Sequence, residues 1–495
     1  MLPSQTDDRM LIAQASGLGS WQLMSYSCPI NPISAALLRT GRILFLAGSG
    51  NNPDNINTPN GAAVLNLSNG TFIRPTTPLD SAGSPIDFFC CAHSFLSDGR
   101  LMCAGGTDQY DPFLGLPVAL IFNPSNNQWV KESNQPEGAR WYPTVITMGD
   151  GRIVVLSGID EFGGIDTYPE SYSSATGWSY FSGPALNWQY PTSSFPMYSH
   201  LFLMQDGRLF YSGAYFQNTG VSTHILTLPA NYQGQITETP VSGLQNPDYG
   251  DQAASVLLPP AQDQKVMMIG GGNDYYGQTT NRVNIIDLNA SSPAYTAAAS
   301  LNFARMHHNA VLLPDRTVFV CNGSAVGEDA NQGTRTSEIY NPATNTWTTA
   351  ATAQKTRLYH AVAILLPDGR VLASGGNPAR GTEERSIEIY SPPYMSQTRP
   401  TMSSAPTSAT YGATITVGTS QPNSVKWVHL IRPMATTHGL DTEQRLVDLP
   451  ITSRTSNSVK VTVTSNRNIA PPGYYMLFIV NNSNVPSQAR WIRIS

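Results

Sequence analysis

A motif that returns seven times constrains this chain more than any other feature: an apolar strand, a turn of the Asp-Gly-Arg type, and a second apolar strand that usually ends in glycine. The copies are AALLRTGRILFLAG, SFLSDGRLMCAGG, VITMGDGRIVVLSG, LFLMQDGRLFYSG, SVLLPPAQDQKVMMIGG, AVLLPDRTVFVCNG and VAILLPDGRVLASGG. The third turn residue falls at Arg42, Arg100, Arg152, Arg208, Lys265, Thr317 and Arg370, giving steps of 58, 52, 56, 57, 52 and 53 residues. Asp-Gly between two strands supplies the positive φ that a tight hairpin requires. Further β segments such as VALIFNPSNNQWV, TSEIYNPATNTWTTA and RSIEIYSPP follow several copies, so each unit holds about four strands, the content of one propeller blade. The expectation is an all-β fold whose residues 1–392 form a seven-bladed β-propeller. A stack of sandwiches is the alternative, and one turn motif per ~55 residues argues against it.

Near residue 391 the pattern stops, and SPPYMSQTRPTMSSAPTS reads as a Pro/Ser-rich linker. Alternating segments then recur without the blade motif, as TITVG, VKWVHLI, VKVTVT, YYMLFIV and ARWIRIS. Residues 393–495 are therefore expected to form a C-terminal immunoglobulin-like β-sandwich. Charged residues make up 12% of the chain and Gly plus Pro number 78, a mixture suited to a large, turn-rich β protein. The net charge of -5 comes without a Lys/Arg run, which argues against nucleic acid and acidic membrane surfaces as partners. No run of about 18 apolar residues suggests a membrane span. Sequons at Asn66, Asn69, Asn289, Asn322 and Asn481 favour a secreted protein. The opening MLPSQTDDRM lacks the basic start and apolar core of a signal peptide, so a mature form is assumed, and a monomer is expected.

Five cysteines are an odd number with no C-x-x-C pair, so at least one thiol is free or joined to something other than sulfur. Equivalent positions in different blades form a ring around the propeller axis. Eight residues before the first turn residue stand Cys90, Tyr142, Tyr198, His307 and His360, with Tyr359 directly before the last. The remaining two blades give Pro32 and Ser255. Cys, Tyr, Tyr, His and His at one height is an unusual choice for packing alone, because their polar tips need partners. A convergent ring of nitrogen, phenol and thiol groups suggests a metal site; imidazole with phenolate favours Cu(II), and zinc is the competitor. The structural alternative is that Arg140-Trp141-Tyr142, Arg305-Met306-His307 and Arg357-Leu358-Tyr359 simply restate the repeat.

At this point the residues resemble the copper radical oxidases, the family of galactose oxidase and glyoxal oxidase. Motifs in order carry the resemblance: Phe89-Cys90, Arg140-Trp141-Tyr142-Pro143, Tyr359-His360 ahead of LLPDGR, and Thr437-His438 ahead of Asp441-Thr442-Glu443-Gln444-Arg445. It implies a kelch-type propeller followed by a β-sandwich. It implies a thioether between Cys90 and the ring of Tyr142, with Tyr142 as copper ligand and redox-active radical. Tyr359 would be the axial phenol and general base, and His360 an equatorial ligand. His438 would reach the copper from the second domain. The implied reaction oxidises a primary alcohol or hydrated aldehyde and reduces dioxygen to hydrogen peroxide. Galactose oxidase stacks an indole on its cross-linked tyrosine, and here Asp160 holds that position, leaving Trp141 or Trp188 as substitutes from elsewhere. Arg-Trp-Tyr-Pro looks closer to the glyoxal oxidase branch, so small aldehydes or primary alcohols are expected ahead of a carbohydrate C6 alcohol such as that of galactose. Tyr198, His307 and His308 are candidates to line the substrate pocket, packing being the plainer role for each. A non-catalytic kelch binding module is the competing reading. Cys91, one step from Cys90, should point to the opposite face as a small buried thiol.

Overall fold

The computed structural model describes residues 17–495 apart from 57, 59–60, 182–195, 217–221, 233, 274–276 and 378–380. Every repeat becomes an antiparallel sheet whose first two strands are the predicted hairpin. In the second repeat these are Ala92–Phe95 and Leu101–Ala104, followed by Ala119–Asn123 and Gln128–Lys131. The seventh begins with Ala361–Leu365, Val371–Gly375 and Ser386–Ser391, and its fourth strand is Ser20–Ser27 from the other end of the described chain. The first and last sheets are thereby tied together. The innermost strands are buried along their whole length, and apolar clusters packed between successive sheets hold them together.

The turns work as the spacing predicts. In the hairpin at Asp98, the carboxylate accepts from the Arg100 amide at 3.0 Å while Gly99 takes φ 82. Non-glycines break the rule twice: Gln264 holds φ 52 in the fifth repeat and Arg316 φ 70 in the sixth. Buried ion pairs also recur, because the arginine ahead of the inner strand meets a glutamate on the third strand. Arg140–Glu170 spans 2.8 Å, Arg305–Glu338 2.7 Å and Arg357–Glu388 3.2 Å, with all six side chains fully buried. The same glutamates accept backbone amides from Glu137, Asn302 and Gln354, which fixes how the chain enters these three sheets. The Arg-x-aromatic pattern therefore has a structural basis as well as a place in the ring.

Residues 402–494 form two packed sheets. One joins Met402–Ser404, Thr414–Thr419, Ser458–Thr462 and Ile451–Arg454; the other is centred on Val425–Ile431 and Gly473–Asn481. Val417 and Val461 from the first share a core with Leu430 and Leu477 from the second. A loop from this sandwich packs against the inner strands of the repeats. Its strand Ala435–Thr437 pairs with Ser34–Leu37, the inner strand of the first repeat. Thr442 donates to the Val145 carbonyl at 2.7 Å, and Gln444 Nε2 donates to that of Ala310 at 3.1 Å. Glu443 accepts from Ser94, from Thr147 at 2.7 Å, and from Arg432. This loop touches four repeats at once. Of the sequons, Asn322 is buried and donates to Asn309 at 2.7 Å, so it cannot carry a glycan in the folded protein.

Candidate metal centre

The ring forms, and its backbone is distinctive. Cys90, Tyr142, Tyr198, His307 and His360 take φ of 59, 61, 42, 58 and 65, the left-handed region that non-glycine residues rarely occupy. Neighbouring positions are stitched together, with the Tyr142 amide donating to the Cys90 carbonyl and the Tyr198 amide to that of Tyr142, both at 3.1 Å. The fifth repeat corrects the count: its ring residue is Gln252, with φ 53 and its carbonyl accepting from the His307 amide at 3.0 Å. Its turn closes from Leu258 to Lys265, whereas others span four residues, as Leu96 to Arg100 does. Three extra turn residues moved the counted position to Ser255, which instead bonds His200 Nδ1 at 2.9 Å. Pro32 of the first repeat is not among the left-handed positions.

The predicted site residues converge. Tyr142 and Tyr359 bring their hydroxyls into a very short contact, and Tyr142 Oη lies 3.0 Å from His438 Nε2 and 3.4 Å from His360 Nε2. Cys90, His360 and His438 have their ligand-type atoms within 4.8 Å of one another. His438 arrives through the loop described above, and its own φ is 50. Both imidazoles are oriented from behind. Asn377 Oδ1 accepts from His360 Nδ1 at 2.6 Å and is itself held by Asn31 Nδ2 at 2.8 Å. Thr437 Oγ1 lies 2.6 Å from His438 Nδ1 and 2.9 Å from Ser34 Oγ. Each ring thus keeps Nε2 free to face the centre, the usual arrangement behind a metal-ligating histidine. Asn377 and Asn31 had no signal in the sequence, since no spacing links them to His360.

Burial sets the electrostatics. It holds the Tyr142 and Tyr359 phenols and the Cys90 thiol well above their ordinary pKa. It pushes His360 down to about 3 and His438 well below the usual histidine range. Four donor atoms that are neutral, buried and aimed at each other fit a cation, whose charge would favour phenolate and neutral imidazole alike. Two imidazoles and two phenols suit Cu(II) better than zinc. Tyr359, at 9% exposure, is the most open of the set; Tyr142 and His360 are at 1%.

An indole does stack on Tyr142, and it comes from the adjacent residue. The Trp141 ring lies 3.8 Å from that of Tyr142 at 7°, and Phe113 stacks behind it at 4.2 Å. Tyr198 covers the other face at 4.4 Å, its hydroxyl donating to the Cys91 carbonyl. The positive φ of Tyr142 is what folds two consecutive rings onto each other. Asp160 instead accepts the Phe162 and Gly164 amides of its own loop, both at 2.8 Å. Trp188 lies outside the described residues. Phe216, which the repeat count did not mark, stacks on Tyr359 at 5.5 Å and meets Tyr142 edge-on at 4.6 Å. His307 stands edge-on to Tyr359 at 5.5 Å. His308, the next residue, is fully buried. All five cysteines are buried and free; Cys90 and Cys91 belong to different core clusters, although Cys90 stands in a left-handed turn ahead of the strand Ala92–Phe95 and strand alternation does not apply to it.

A family model described as glyoxal oxidase N-terminus matches residues 84–394, and one described as galactose oxidase-like, early set domain matches residues 399–494. Galactose oxidase of Gibberella zeae is 28% identical over 505 residues, covering 98% of this chain and 72% of that protein. Aldehyde oxidase GLOX of Vitis pseudoreticulata is 25% identical over 545 residues, covering 98% and 99% respectively. Among solved structures, a fungal alcohol oxidase of the AA5 family in complex with copper aligns with a TM-score of 0.81. That likeness covers 97% of this chain and 100% of the other at 24% identity, and it establishes a shared fold.

Proposed function

The chain belongs to the glyoxal oxidase family, and from that membership we propose that it is a copper radical oxidase of simple aldehydes or primary alcohols. The observation that carries this reading is the convergence of Tyr142, Tyr359, His360 and His438 with Cys90 beside them. The four oxygen and nitrogen donors would hold one copper ion. When bound, copper supplies a Lewis acid for the substrate hydroxyl and an acceptor for one electron. The Cys90 sulfur lies in hydrogen-bonding reach of the Tyr142 hydroxyl, which supports a thioether between that sulfur and the Tyr142 ring. Tyr359 takes the substrate hydroxyl proton at its Oη, and Tyr142 takes a hydrogen atom from the carbinol carbon. Trp141 and Tyr198, stacked on either face, shield the Tyr142 ring from water and lend it π density while it carries the unpaired electron. The balance is RCH2OH + O2 → RCHO + H2O2, or RCH(OH)2 + O2 → RCOOH + H2O2.

The seven sheets are read as the blades of one kelch-type propeller in residues 1–392, with 393–495 as a second domain supplying His438. Asn69 and Asn289 are exposed sequons compatible with secretion. Intact mass before and after aerobic copper loading tests the proposal, because a thioether removes two hydrogens from the chain. The expected result is that loss, together with peroxide production from an aldehyde or primary alcohol. A Cys90→Ser protein that formed peroxide at the parent rate would sink the radical mechanism. Copper-loaded protein that bound ligand but turned over nothing would favour the non-catalytic reading.

A further inference from the structure

We propose that His307 is a specificity-determining residue that recognises the second hydroxyl of a hydrated aldehyde, so that aldehyde hydrates are preferred to simple alcohols. This rests on the oxidase reading above. His307 is 5% exposed, and neither ring nitrogen has a hydrogen-bond partner among the described residues. Leaving a buried polar group unpaired costs about 1–3 kcal/mol, so its presence calls for an explanation. His93, His308 and His429 are buried and unpaired in the same way, and what sets His307 apart among the described residues is its ring contact with the candidate ligand Tyr359. The left-handed backbone and the bond from its amide to the Gln252 carbonyl fix where the ring stands. It stands edge-on to Tyr359, the most open of the four candidate ligands, while Phe216 stacks on the same tyrosine and offers no hydrogen bond.

A neutral imidazole presents one donor and one acceptor. A primary alcohol has a single hydroxyl, which the metal and the Tyr359 oxygen already use. An aldehyde hydrate carries a second hydroxyl on the same carbon, close enough for His307 to receive it as the reacting oxygen approaches Tyr359. His307 itself is unchanged by the reaction: the carbinol C–H and one O–H bond break, two electrons pass to dioxygen, and the acid and hydrogen peroxide form. A site built to bond a hydroxyl rejects an analogue lacking it more strongly than an apolar pocket rejects an added one.

Chloral hydrate, a stable geminal diol, and 2,2,2-trichloroethanol differ by that one hydroxyl. Calorimetric titration of the copper-free protein with both should show about a ten-fold preference for the hydrate, equivalent to about 1.4 kcal/mol. In His307→Phe the ratio should fall to near one, and in His307→Gln, which keeps a donor and an acceptor, part of it should return. In the copper-loaded enzyme, the ratio of kcat/KM for methylglyoxal to that for benzyl alcohol should drop about ten-fold in His307→Phe. An equal ratio in parent and His307→Phe, or no measurable binding of either probe, overturns the proposal. A parent enzyme that makes no peroxide from either substrate overturns the oxidase reading instead, and the copper-free ratio still judges His307.

Discussion

Replacing Asn377 by leucine should weaken metal binding without touching a ligand. Asn377 Oδ1 receives the Nδ1 proton of His360 at 2.6 Å, and its orientation is set by Asn31 Nδ2 at 2.8 Å and by the Thr382 carbonyl. His360, Asn377 and Asn31 are all at 2% exposure or less, so water cannot take over the lost bonds. Leucine has a similar volume and no acceptor. It strands the His360 Nδ1–H and leaves Asn31 Nδ2 with a 3.5 Å contact to Gly50 as its remaining bond. Each stranded donor costs about 1–3 kcal/mol, felt in the metal-free protein as lower stability. The imidazole also loses the bond that selects its tautomer, and such second-sphere losses weaken metal binding about 10–100-fold. That corresponds to about 1.4–2.7 kcal/mol. Competition against a chelator of known copper affinity measures the binding, and urea unfolding of the copper-free protein measures the stability. Asn377→Asp keeps the acceptor and should retain most of the affinity. Copper affinity unchanged within about three-fold in Asn377→Leu would refute the view that Asn377 positions His360.

Glu443→Gln should destabilise the protein by about 3–5 kcal/mol in urea unfolding, because it strands the buried Arg432 charge in the loop that carries His438. Asp441 gives a pH signature: burial, reinforced by Glu443, lifts its carboxyl to about 7. The folded state therefore keeps a proton that the unfolded chain releases near pH 4, so this residue's contribution falls as pH rises from about 4 to about 7. The cost of Asp441→Asn, measured by urea midpoints, should accordingly be greatest near pH 4 and shrink towards pH 7; a cost that grows with pH would contradict the assignment. Arg316→Gly sets two effects against each other. Glycine relieves a left-handed backbone worth about 1–2 kcal/mol, while the partly exposed pair with Asp448 and the 4.2 Å stacking on Trp427 are worth about the same together. Stability should change by less than about 1 kcal/mol, and a larger loss would mean that Arg316 rivets the sandwich to the sheets.

What could be read from the chain follows from how the information is written in it. The hairpins were legible because Asp-Gly-Arg fixes a turn locally, and a fixed turn fixes the residue eight positions earlier. The count failed at Ser255 for the same reason, since the turn after Leu258 is three residues longer and nothing in the strand itself reveals the slip. That register marked Cys90, Tyr142 and His360, with Tyr359 directly before the last, and the family resemblance marked His438. Trp141 was hard to assign because its role depends on a backbone angle: with an extended Tyr142, neighbouring side chains would point to opposite faces. Only the left-handed turn at φ 61 stacks them. Asn31 and Asn377 are 346 residues apart and meet through tertiary folding, so no local pattern could pair them.

The two histidines sit on elements that depend on chain-distant pairing. His360 precedes Ala361–Leu365, in a sheet that the strand Ser20–Ser27 completes. His438 follows Ala435–Thr437, which is held by pairing with Ser34–Leu37. Tyr142 enters from a third region, anchored by the amide bonds to Cys90 and Tyr198. The four donors therefore come together only when these sheets and the sandwich loop are packed in place. A metal that binds this set stabilises the folded state and has little hold on the unfolded chain, so its effect on stability follows RT ln(1 + [L]/Kd). The left-handed rim residues point the same way. Their strain, about 1–2 kcal/mol per residue, is offset at Tyr142, Tyr198 and His307 by amide bonds to the preceding repeat, which exist only when the two sheets are packed together. The complete donor set thus requires these elements to be folded, and the oxidising chemistry that would join Cys90 to Tyr142 would act on two residues already buried in one cluster.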